Sequence, residues 1–218
     1  MSEQSKSVPP SLARWLTLQR ALGYGPLLLY SVYHLWSQWP ALYGRDVWLA
    51  RAQRHGLGGV LGVLVVASML THAGIGLYRS LRAPNARIER GRRWFQLITG
   101  LTIALFTIYH LSHVWPRPEG EVATLERSHE RLWELLGQPV VLTIYVLGCS
   151  ALAGHAAHAL SCLLEPYLPQ RARLAWRLTA GFCGFALFAL YLQLIGQYAA
   201  GEPMLPSWAE SAVTTQLP

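Results

Sequence analysis

The chain has 218 residues, of which 52% are hydrophobic and 13% charged, and its formal net charge is +7. A soluble domain carries charge on about a quarter of its residues, so this composition points to a membrane protein. The basic excess is arginine set between apolar runs, with no stripe of its own, which argues against nucleic acid as a partner.

Residues 1–16 carry charge but no adjoining apolar h-region, so the first apolar run rather than a cleaved signal peptide is expected to direct insertion. Crossing the hydrocarbon core takes about 20 mostly apolar residues. Five such runs follow, near 17–38, 56–78, 95–115, 139–163 and 175–198, and none contains Asp or Glu. Pro26 falls inside the first, where it predicts a kink that membrane helices tolerate. The connections hold the breakers Pro40, Pro84, Pro116, Pro118, Pro166 and Pro169. Between the third and fourth runs, EVATLERSHERLWELLGQP has the pattern of a short amphipathic helix lying on the membrane surface. The tail from Gly201 to Pro218 is polar and is expected to be poorly ordered. Cys149, Cys162 and Cys183 lie in or beside apolar runs without a CxxC pattern and read as small packing residues.

Orientation follows from the basic residues. With the N-terminus in the cytoplasm, the inside segments hold twelve Lys and Arg and the outside segments six, while the acids divide three inside and eight outside. The expected fold is an all-α integral membrane protein, a bundle of five transmembrane helices with its N-terminus cytoplasmic and its C-terminus outside. Residues 1–16 form the cytoplasmic N-terminal segment, 17–198 the membrane domain and 199–218 the tail.

Six histidines fall within the spans: His34, His72, His110, His113, His155 and His158. His55 and His129 lie in connections and are expected to be solvated. An ionisable group inside a long apolar span is costly and marks function. Because successive spans run in opposite directions, His34, His110 and His113 fall toward the outer side, and His72, His155 and His158 toward the inner. The histidines therefore sit at two depths, with two helices at each. Two neutral imidazoles at one depth on facing helices are what a haem iron bound from both faces requires. Two such pairs would hold two haems stacked across the bilayer. Gly76, Gly148 and Gly23, respectively four after His72, seven before His155 and eleven before His34, fall close to each histidine's own helix face and would leave room for a flat macrocycle or for close helix packing. Metal transport is a competing use of an HxxH pair, but the spans lack the buried carboxylates that ion coupling normally adds. Plain hydrogen-bonded packing is the third reading.

The stretches LGYGPLLLYSVYHL, THAGIGLYRSL, TGLTIALFTIYHL and YVLGCSALAGHAAHAL carry a more specific likeness. Over residues 17–198 the chain resembles the single-polypeptide dihaem cytochrome b membrane anchors of succinate:quinone oxidoreductases (succinate dehydrogenase and quinol:fumarate reductase), of the five-helix type typical of menaquinone-using bacteria. Gly23 leads His34 by eleven residues, His72 stands in an H-A-x-x-G-x-Y context, Gly100 leads His110 by ten, and Tyr145 leads His155 by ten. The resemblance implies two haem b groups, the outer on His34 and His110 and the inner on His72 and His155. His113 and His158, one turn on, are then bordering residues facing a propionate, a quinone or a polar rim. It also implies a place in the bacterial cytoplasmic membrane and two partners on the cytoplasmic face, a flavoprotein and an iron–sulfur subunit. The chain itself has no dinucleotide fingerprint and no ferredoxin-like cysteine pattern. Succinate chemistry would belong to the flavoprotein, and this subunit would react with quinone. Gln38, Trp39, Arg45 and Trp115 are candidates for the quinone site and equally for interface anchors. Some family members carry a glutamate two residues before the fourth ligand for proton movement; here that residue is Ala153, which puts such a path in doubt. The alternatives are a dihaem anchor of a hydrogenase or formate dehydrogenase, and a haem-free transporter.

Overall fold

In hydrocarbon a spanning segment must satisfy its backbone polar groups within itself, which an α-helix does. A computed structural model describes residues 10–52, 58–82, 90–114 and 121–200, and among these it contains helices and no strand. Four helices are long and apolar enough to cross a membrane: α4 (Gly58–Arg82), α5 (Arg90–Val114), α7 (Pro139–Leu164) and α8 (Gln170–Ala200). Their flanks bear Leu81 at 73% exposure, Phe182 at 70% and Leu101 at 59%. An apolar surface this extensive is foreign to a soluble monomer and suits lipid. This is an all-α, membrane-type fold.

The first expected span is helical throughout but divided. It comprises α1 (Pro10–Leu22), a π-turn at Gly23–Leu27 and α2 (Leu28–Gln38). Pro26 has no N–H to donate, and the widened turn lets the Leu28 N–H reach the Gly23 carbonyl five residues back. No single piece therefore reaches the length of a crossing helix. Two other helices begin earlier than the apolar runs, α5 at Arg90 and α8 at Gln170. Arginine stems can lie along apolar surface while the charged heads reach water, so a helix can extend past its apolar stretch.

After α2 come a short 3-10 turn (Trp39–Tyr43) and α3 (Arg45–Ala52), and α6 (Glu121–Leu136) precedes α7. The amphipathic stretch is thus a helix, and it buries Leu136 to 2% exposure with Leu132 and Leu135 against the core, leaving Trp133 exposed. α7 packs against α5 and α8, and α4 against α1 and α5. The core gathers at one end of the bundle, around Leu42, Trp48, Leu136, Tyr145, Tyr191 and Tyr198. His129 is not solvated as expected: it is half-buried, 5.2 Å from the Trp48 ring and 5.1 Å from that of Tyr198, because α6 folds back over α3 and α8. His55, Trp115 and the tail 201–218 lie outside the described residues. The three cysteines are free, with Cys149 buried, Cys162 half-buried and Cys183 exposed.

The other end carries the arginines where α5 and α8 begin. Glu165 accepts from Arg92 at 2.9 Å and from Arg177, tying α5 to α8. The bonds from Arg177 and Arg92 hold its carboxyl down at about 2. A depressed carboxyl stabilises the fold fully above its ordinary value of about 4.3 and loses that contribution as pH falls through its folded value. The detergent-solubilised protein should therefore melt at a constant temperature from pH 7 down to about 5, then progressively lower toward pH 2. Glu165→Gln should start lower at pH 7 and fall less. Both effects are modest, since the two guanidiniums are half exposed.

Candidate functional site: two histidine pairs inside the bundle

Of the six histidines in the spans, four meet in twos. The rings of His34 on α2 and His110 on α5 have centroids 6.1 Å apart at 80°. Those of His72 on α4 and His155 on α7 lie 6.2 Å apart at 70°. All four rings are half-buried. His113 and His158 join neither pair: His113 sits edge-on to Tyr109 at 4.6 Å, and His158 edge-on to Phe95 at 5.7 Å. Along a helix, residues three apart are about 60° apart in direction, so when His110 faces α2, His113 turns aside.

The surroundings hold the rings in particular proton states. His72 Nδ1 lies 2.9 Å from the Gln19 carbonyl, which only accepts, so Nδ1 carries the proton and Nε2 keeps its lone pair. The Thr99 hydroxyl donates to the Phe95 carbonyl at 2.7 Å and lies 3.0 Å from His155 Nδ1. With its hydrogen already committed, Thr99 accepts from His155, and again Nε2 is the free ligand atom. His110 Nδ1 shares a 3.1 Å hydrogen bond with the Tyr145 phenol. Stacking adds to this: Tyr30 lies 5.5 Å from His34 at 17°, and Phe106 lies 5.8 Å from His110 at 29°. Outer partners of this kind orient metal-binding histidines and fix their tautomers.

Gly76 lies against Gln19, the partner of His72 on its own helix, whereas Gly23, Gly100 and Gly148 lie against the opposite pair from the one on their own helix. A Cβ at Gly23, on the helix that leads to His34, would stand 2.9 Å from the His72 ring. One at Gly100, on the helix of His110, would stand 3.6 Å from the His155 ring. One at Gly148, on the helix of His155, would overlap Phe106, which stacks on His110. Tyr145, ten residues before His155, reaches His110. Each spacer of ten or eleven residues is thus the axial separation of the two pairs, about 15 Å at 1.5 Å per residue. The sequence spacing shows a shared face, whereas the change of depth appears only when neighbouring helices are in place.

Of the quinone candidates, the three within the described residues are otherwise engaged. The Gln38 carbonyl oxygen accepts from Trp48 Nε1 at 3.0 Å and from the Tyr198 phenol at 3.3 Å. Trp39 packs on the core, and Arg45 pairs with Glu130 at 2.8 Å on the surface. Trp48 and Tyr198 were not legible as partners of Gln38, since they are distant in sequence and recognisable only as interface-type aromatics. Ala153 is 3% exposed. Its carbonyl would lie 3.0 Å from a Cβ on Gly184.

Among the described residues no group of three or more His, Cys, Asp or Glu is arranged to hold a metal ion. The arrangement offers instead two separate positions, each flanked by two imidazoles, stacked along the bundle. Compared with known proteins, the chain matches no family model, no curated protein and no solved structure.

Proposed function

We propose that this chain is a dihaem cytochrome b, the membrane anchor of a succinate:quinone oxidoreductase in a bacterial cytoplasmic membrane, with five crossings and a cytoplasmic N-terminus. One observation carries the reading: two histidine pairs with ring centroids 6.1 and 6.2 Å apart, on four different helices. Metal–imidazole bonds are about 2 Å, so two rings sharing one metal from opposite sides have centroids on the order of 6 Å apart. A Cβ at Gly23 would press on the His72 ring at 2.9 Å, so glycine leaves that ring its place, while one at Gly100 would make ordinary contact with the His155 ring at 3.6 Å. The residues therefore suit a bis-imidazole haem at each pair, on His34 with His110 and on His72 with His155.

When bound, the two haems would supply one-electron carriers at two depths. The chain's own part is to hold the rings. Gln19 and Thr99 keep the protons of His72 and His155 on Nδ1, so that Nε2 is the donor atom. Tyr145 and Phe106 orient His110, and Tyr30 orients His34. The axial separation of about 15 Å divides a hydrocarbon core of about 30 Å into shorter steps. On this reading the arginine-rich end receives an iron–sulfur subunit attached to a flavoprotein, and menaquinone reacts near the opposite end.

The test is the haem b content of the membrane protein purified with its partners. About two haems per chain, with a flavoprotein and an iron–sulfur protein co-purifying, is the expected result. A nickel or molybdenum enzyme as partner would move the chain to a hydrogenase or formate dehydrogenase. Absence of a Soret band would overturn the cytochrome reading and leave transport or packing for the histidines.

A further inference from the structure

A shallow depression of about 700 Å³, open to the surface, lies at the arginine-rich end between α5, α7 and α8, with Arg92, His158 and Arg177 along it. A second, of about 200 Å³, continues along α7 and α8 past Phe185. The two share Gly154, Ala157 and Gly181, so together they form one furrow. Its walls run over Ser161 to Ser150 on α7 and Arg177 to Phe188 on α8. Eleven residues at 1.5 Å each make it roughly 16 Å long, comparable with an extended acyl chain.

The charged end is built for an anion. Glu165 draws Arg92 and Arg177 together across the furrow's mouth while remaining only 13% exposed itself. The two guanidinium side chains are 43% and 49% exposed, and two cations against one carboxylate leave a net positive charge. Each guanidinium has five N–H donors, of which Glu165 takes one from each. Beyond the mouth the floor is glycine and alanine, and the rim is aromatic, with Phe185 at 68% exposure. A basic pocket between transmembrane helices at the cytoplasmic boundary is where anionic lipid headgroups bind.

We propose that this furrow is a binding slot for one anionic phospholipid, with its phosphate against Arg92 and Arg177 and an acyl chain laid along Gly154, Ala157 and Gly181. The slot is separate from the histidine pairs and does not depend on their occupancy. The mixture of charge and apolar length selects the lipid over a free phosphate, which would leave the furrow unfilled.

Native mass spectrometry of the full chain in detergent, with equimolar phosphatidylglycerol and phosphatidylcholine, tests the proposal. Phosphatidylglycerol should be retained on the order of tenfold over phosphatidylcholine, as two surface arginines partly offset by one carboxylate imply. The double variant Arg92→Gln, Arg177→Gln should bind both lipids alike, while Arg171→Gln, outside the furrow, keeps the preference. Gly181→Leu should lower retention of both lipids with helicity intact, because a Cβ there meets nothing within 4 Å and the side chain enters the furrow. Equal retention by the unaltered protein would overturn the slot. So would a Gly181→Leu variant that keeps its lipid. Free phosphate abolishing the preference at low millimolar concentration would also count against it, since the acyl chain would then contribute nothing.

Discussion

Alanine at either histidine of a pair is expected to remove one haem and spare the other. His34→Ala and His110→Ala should yield the same one-haem protein, and His72→Ala and His155→Ala the complementary one. The pairs are about 15 Å apart along the bundle and share no ring contact, so loss at one leaves the geometry of the other in place. Haem b per chain should fall from about two to about one in all four variants, and redox titration should show which step has gone. His113→Ala and His158→Ala should retain both haems, because those rings pack on Tyr109 and Phe95 instead. Four variants that each lost both haems would point to collapse of the bundle rather than to ligation. A haem lost from His113→Ala but kept by His110→Ala would move the ligand by one turn.

Gly184→Leu should prevent folding, whereas Gly181→Leu, three residues earlier on the same helix, should be tolerated. At Gly184 a Cβ would stand 2.6 Å from the Ala157 Cβ and 3.0 Å from the Ala153 carbonyl oxygen. Neither neighbour is the end of a flexible side chain, so α7 and α8 would have to part. Overpacking typically costs about 1–3 kcal/mol, and a leucine at backbone contact belongs at or above the top of that range. Gly184→Ala should already lower the melting temperature in detergent by roughly 6–12 °C if the cost is near 3 kcal/mol. An unchanged melting temperature for Gly184→Ala would mean that the α7–α8 crossing contributes little. Small residues at such crossings allow the van der Waals contact that holds helices together where lipid supplies no hydrophobic drive.

Much of the fold is legible along the chain because a bilayer imposes one dimension on it. Length and apolar content alone identify α4, α5, α7 and α8. The periodicity of residues 121–136 identifies α6 as amphipathic. The π-turn is harder: Pro26 predicts a disturbance, but that the chain stays helical through it depends on Leu28 finding the Gly23 carbonyl. His129 could not be read correctly from a polar, charged stretch, since its burial depends on Trp48 and Tyr198 arriving from elsewhere in the chain.

The same division holds at the site. Alternating helix direction sets the depth of each histidine, and depth can be counted in residues. Depth does not tell which of two histidines one turn apart faces the partner helix; helix rotation decides that, and rotation is set by contacts such as Tyr145 with His110. Nor does it tell that Gly23 serves His72, or that Thr99 spends its hydrogen on Phe95 and so fixes the proton of His155. By itself, then, the sequence determined a helical membrane chain with imidazoles at two levels, because hydropathy, charge and spacing act along one axis. Only the tertiary structure decided the ring geometry of the pairs, their tautomers and the furrow beside them, because these depend on angles around the helix axes that no single helix specifies.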